Sequence, residues 1–208
     1  MGEAWSVVAF CVYTFFFTRE VVLKSWRLGP LFLMKKLSYL TWETTLLSHC
    51  YLIGKLFLPN HFPQHVRNKV YLICLSLNCI VVLAYWSLFS INPKLVDNDD
   101  YTGWDIEWAT TLFSHGGNLI FLLGEGWLMR QSFHPPSLGW FLQVEVVFVT
   151  FYCCMQWACR QVTGQAVYGF LDAMSTTEVC TFYTVLGLIS LCIKTVASVT
   201  LTSKAKVT

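Results

Sequence analysis

Residues 106–129 read IEWATTLFSHGGNLIFLLGEGWLM, and this stretch constrains the chain more than any other. It is long enough to cross a bilayer, which takes roughly 20 mostly apolar residues. Wound as a helix, it puts Thr111, His115, Asn118, Leu122 and Glu125 on one face, at steps of four, three, four and three. That face cannot meet lipid. Polar groups at membrane depth turn toward protein or a water-filled cavity, so the stripe is either a functional site or a set of interhelical hydrogen bonds. The stripe alone leaves both open.

The rest of the chain agrees with a membrane setting. It is 55% hydrophobic and only 12% charged, about half the charged share of a soluble domain. The 208 residues are filled with apolar blocks, which leaves no room for a separate soluble domain of ordinary size. We therefore expect an all-α integral membrane bundle of about six transmembrane helices, near 4–23, 37–58, 70–91, 106–129, 138–159 and 180–201. A net charge of +2 without a concentrated Lys/Arg run argues against nucleic acid, so membrane lipids are the expected surroundings and partners.

Taken in order, the first run (residues 4–17) lacks the basic start and small-residue cleavage site of a signal peptide and is kept as a span. A basic stretch follows, with Arg19, Lys24, Arg27, Lys35 and Lys36. In the second span Thr41, Thr45 and His49 stand at four-residue steps, with Glu43 offset from them. Pro59 and Pro63 close it, and His61, His65, Arg67 and Lys69 read as a solvated connection. The third span is scaffold in appearance, with Asn78 its only strongly polar residue. The acidic loop carrying Asp97, Asp99, Asp100 and Asp105 lacks the EF-hand pattern. Pro135 and Pro136 stop the fourth span; Glu145 lies early in the fifth, and Lys194 in the sixth can snorkel if the helix end lies nearby. Positive charge is nearly balanced between the two sets of loops, so orientation is not set.

The nine cysteines lie mostly in apolar runs, as small buried hydrophobes do. No CxxC, HExxH, GxGxxG or GxxxxGK[ST] pattern occurs, so neither a metal nor a cofactor is expected.

Three short blocks carry a family resemblance: YLT at 39–41, PKLVDN at 93–98, and VTG-QA-VYGFLD at 162–172. With the spacing of the spans they resemble the androgen-induced family of multi-pass membrane proteins. The resemblance implies an intramembrane threonine hydrolase acting on fatty acid esters of hydroxy fatty acids, with the threonine of the YLT block, here Thr41, as nucleophile. The family's partner histidine is the second in an HxMH-like motif on the central helix. This chain departs from that pattern: it reads His115-Gly116-Gly117-Asn118, so Asn118 stands at the partner position and His115 matches the first histidine. An asparagine side chain cannot take a proton from a hydroxyl. His115 lies about one turn earlier and is the candidate base; His49 on the Thr41 helix is a second. Thr111, Asn118, Glu125, Thr45 and His49 form the candidate lining of a substrate cavity for a lipid ester.

The HG-x-N pattern of His115, Gly116 and Asn118 also resembles the rolling stone family, associated with myoblast fusion rather than a defined reaction. That resemblance implies a non-catalytic membrane protein working through helix or partner contacts. Convergence of Thr41 and His115 is what separates the two readings.

Overall fold

A computed structural model describes residues 2–23, 26, 39–92, 106–130, 132–164 and 166–205. The acidic loop, the 93–98 block and most of the basic stretch fall outside these residues.

Helix α1 (Gly2–Phe17) runs on into a π turn, Thr18–Leu23. Next come α2 (Leu40–Phe57) and α3 (Gln64–Ile91). The central helix has three parts: α4 (Ile106–Leu112), a π segment (Phe113–Gly117) and α5 (Asn118–Met129). Then follow α6 (Leu138–Thr163), a 3₁₀ turn (Gly169–Ala173) and α7 (Thr176–Ala205). No strand occurs among the described residues.

Local chemistry explains the ends. After Pro135 and Pro136, the Ser137 hydroxyl accepts the Trp140 N–H at 3.3 Å and caps α6. Gly164, at φ 74°, closes that helix in the left-handed conformation. Ser175 and Glu178 form a reciprocal box at the start of α7, with the Ser175 N–H bonded to Glu178 at 2.7 Å and the Glu178 N–H to Ser175 Oγ at 3.4 Å.

Three helices outrun the apolar stretches that mark them in the sequence. α3 begins at Gln64, so His65, Arg67 and Lys69 occupy its first turns rather than a loop. Nothing after Pro63 breaks a helix there, and Lys69 sits 5.4 Å from the centre of the Trp140 ring. α6 likewise continues to Thr163, and α7 starts at Thr176.

Packing forms two groups that share α3. In one, α1, α2 and α5 close around α3 through Tyr13, Tyr51, Leu72, Phe113 and Leu122. Two glycines permit that closeness: a Cβ on Gly124 would run into Trp5, and one on Gly126 into the Tyr71 hydroxyl. In the other, α6 and α7 close on α3 through Ile80, Val81, Tyr152 and Tyr183, with Leu40 of α2 at their edge.

Among the described residues, four helices are long and apolar enough to cross a membrane: Glu3–Val22, Gln64–Ile91, Leu138–Thr163 and Thr176–Thr202. Val146, Val147, Phe151, Leu188, Val196 and Val199 stand exposed along α6 and α7, an apolar surface suited to lipid. The fold is an all-α membrane helical bundle.

Lys194 does not snorkel. It is 1% exposed, ion-paired to Glu145 across α6 and α7, and hydrogen-bonded to Ser190 at 3.0 Å. It lies in the interior of a 30-residue helix, too far from either end for its ammonium to reach water more cheaply than it reaches Glu145.

Candidate active site

The site begins with a defect in the central helix. His115 has φ −109° and ψ 15°, outside the helical range, within the π segment. Its carbonyl accepts the indole N–H of Trp86 on α3 at 2.7 Å. A side-chain donor inserted into the helical ladder is a recognised cause of such a bulge, and π bulges recur at functional sites. Tyr85 lies stacked on the imidazole, 3.6 Å between centroids at 20°.

This local geometry aims the ring. His115 Nδ1 lies 3.0 Å from the Thr111 carbonyl oxygen and 3.0 Å from Ser114 Oγ. A carbonyl has nothing to donate, so Nδ1 carries the hydrogen. In the neutral imidazole Nε2 is then bare. Nε2 stands 3.2 Å from Thr41 Oγ1 and accepts its hydroxyl proton. A hydroxyl, an imidazole and an acceptor that orients the imidazole thus form one chain, an arrangement chemically able to activate a hydroxyl.

Thr41 is held as firmly. It is the second residue of α2 and 7% exposed. Thr44 and Thr45 donate to its carbonyl at 2.9 and 2.7 Å, and Thr45 accepts from Asn118 Nδ2 at 2.8 Å. Ahead of Thr41, the hydroxyl of Tyr168 accepts the Leu40 N–H at 3.1 Å, where Tyr39 offers no side-chain cap. The rings of Tyr39 and Tyr168 meet edge to face at 5.2 Å. Asp172 steadies that loop by accepting the Ala166 N–H at 3.2 Å and pairing with Arg160. The VYGFLD block therefore serves as a brace for the first turn of α2. Tyr168→Phe is expected to cost about 0.5–1.5 kcal/mol, the net worth of one hydrogen bond, in thermal unfolding of the detergent-solubilised protein.

The structure brings together Thr41, Thr45, Thr111, His115 and Asn118, but not the other two candidate residues. Glu125 lies two turns beyond Asn118, 1% exposed, where it pairs with Lys55 and accepts from Ser6 Oγ at 2.5 Å. Sharing a helical stripe did not put it beside His115, because a lysine on α2 claims it. His49 lies two turns past Thr41, 3.0 Å from Thr14 Oγ1 and beside Phe10. It faces α1 and is no partner for Thr41. Tyr85, Trp86 and Ser114 were not readable as site residues: the first two sit in an apolar span that carries no local mark of a cavity.

The family model described as FAR-17a/AIG1-like protein matches residues 6–200. The chain belongs to this family. The match includes α2, the central helix and the Tyr168 loop, so the whole site lies within the region that defines the FAR-17a/AIG1-like proteins. No curated protein and no solved structure matches the chain.

Proposed function

We propose that this FAR-17a/AIG1-like protein is an intramembrane lipid ester hydrolase in which Thr41 is the nucleophile and His115 the general base. The observation that carries the reading is the 3.2 Å contact from Thr41 Oγ1 to a His115 Nε2 left bare by the partners of Nδ1. Thr41 Oγ1 adds to the ester carbonyl as Nε2 takes its proton. The imidazolium then returns that proton to the departing alcohol oxygen, leaving the acyl group on Thr41. Thr41 stands in the first turn of α2, where the positive end of the helix favours the negative charge that develops on the carbonyl oxygen. The family resemblance supports fatty acid esters of hydroxy fatty acids as the substrate class, reached from within the bilayer. No metal or cofactor enters this scheme.

In the same reading the chain crosses the membrane six times. α2 and the central helix then join the four more apolar helices. Both carry their polar residues on inward faces.

A fluorophosphonate probe tests the proposal, since its phosphorus reacts with an activated hydroxyl and expels fluoride. Labelling of the purified protein is expected at Thr41 and is lost in Thr41→Ala. Persistent labelling in Thr41→Ala, or a folded wild type that resists the probe and hydrolyses no ester, leaves the Thr41–His115 contact as interhelical bonding.

A further inference from the structure

The hydrogen bonds around Asn118 leave one acceptor over. The residue is 1% exposed, and its Oδ1 has no partner. The orientation of the amide follows from counting protons. Thr45 Oγ1 has a single hydrogen and donates it to the Thr41 carbonyl at 2.7 Å, so it accepts at 2.8 Å, and the atom facing it is the nitrogen. The second amide hydrogen is directed to the Ser114 carbonyl at 3.5 Å. Both hydrogens are used and both lone pairs of Oδ1 are bare. A buried acceptor in that condition is destabilising unless something donates to it.

The place of Asn118 beside His115 and Thr41 points to what the donor is. Thr45 lies one turn along α2 from Thr41, and Asn118 about one turn along the central helix from His115. The Thr45–Asn118 bond is thus a rung next to the Thr41–His115 rung, separated along α2 by roughly 6 Å of helical rise. One water, with a hydrogen bond of about 2.8 Å on either side, spans that gap.

We propose that Asn118 Oδ1 holds the water that releases the acyl group, an inference that rests on the hydrolase reading above. Once the alcohol has left, this water donates one hydrogen to His115 Nε2 and the other to Asn118 Oδ1. With both hydrogens committed, a lone pair is turned to the acyl carbon. The water oxygen bonds to that carbon as Nε2 takes its proton; the tetrahedral intermediate then collapses with cleavage of the bond to Thr41 Oγ1. The imidazolium returns the proton to Oγ1, and a carboxylic acid departs. Asn118 cannot remove a proton at any stage. Its part is to supply the second acceptor, which a residue used only to join two helices has no need to leave free.

The test separates the two halves of the reaction. Asn118→Leu removes the acceptor; Thr45→Val leaves Asn118 in place but removes the bond that orients its amide. With 4-nitrophenyl palmitate in detergent micelles, steady-state turnover is expected to fall about tenfold in each, the rate equivalent of one lost hydrogen bond. The rate of fluorophosphonate labelling at Thr41 stays at the wild-type level in Asn118→Leu, whereas Thr45→Val also removes the bond to the Thr41 carbonyl and slows it. Acyl-Thr41 accumulates in intact-mass spectra, and added hydroxylamine, a stronger nucleophile that does not depend on the amide, restores nitrophenol release. Labelling and turnover that fall in step in Asn118→Leu, or turnover that does not fall in it, overturn the water-holding role while leaving the hydrolase reading standing. Hydrolysis that is equal in wild type and Thr41→Ala overturns both.

Discussion

Replacing His115 with alanine is expected to lower ester hydrolysis by about 10²–10⁴-fold, the usual contribution of a positioned general base. The threonine hydroxyl is a weak nucleophile at neutral pH, and Nε2 stands 3.2 Å from Thr41 Oγ1, placed to take its proton. His49, the other histidine on the face of α2, is engaged with Thr14 and has no access to Thr41. The loss is therefore expected in kcat, with KM nearly unchanged, because the imidazole removes a proton rather than binding the acyl chain. His49→Ala is the control and should retain hydrolysis. Steady-state rates on both variants, with unfolding midpoints recorded alongside, decide the matter. If His115→Ala keeps its activity and loses only about 0.6–2 kcal/mol of stability, the histidine is joining helices and the catalytic reading fails.

The largest effect on stability is expected from Lys194→Met. Lys194 and Glu145 are 1% and 8% exposed, and each satisfies the other's charge across α6 and α7. Removing the lysine alone leaves a carboxylate buried without its counter-charge, which typically costs about 3–5 kcal/mol. Removing both charges leaves no such orphan. Lys194→Met with Glu145→Leu is therefore expected to recover most of the loss, because the desolvation penalty of the two ions disappears together with their attraction. Unfolding in detergent, compared across wild type, single and double variants, gives the coupling directly. A single variant as stable as the wild type would mean that Glu145 reaches another partner or water.

The polar stripe on the central helix shows where sequence reasoning succeeds and where it stops. Thr111, Asn118, Leu122 and Glu125 are all buried, as their helical spacing requires in a protein whose surroundings are apolar. Periodicity tells which residues face inward. It does not tell what they meet, since that depends on side chains brought in by other helices. Glu125 and Asn118 share the stripe, yet Lys55 draws the first into an ion pair and Thr45 bonds the second. Glu145 and Lys194 are 49 residues apart, and neither stretch names the other. Tyr168 was visible as part of a family block, but its bond to Leu40 spans 128 residues.

The sequence by itself determined the membrane class, the helical fold and the break at Pro135–Pro136, which follow from hydropathy and proline stereochemistry and are local. Thr41 and His115 were marked out as a pair by the family resemblance rather than by any local property. Tertiary structure alone decided that His115 sits in a π bulge held by Trp86, that Tyr85 covers its ring, and that Nε2 rather than Nδ1 faces Thr41. A helix register is a local property, whereas a bulge here depends on a donor from α3 reaching a backbone carbonyl 29 residues away. In an ideal helix His115 would have helical φ and ψ, and its ring would take a different direction. Packing of α3 against the central helix, with the Thr111 and Ser114 contacts, sets the direction of the nitrogen that faces Thr41.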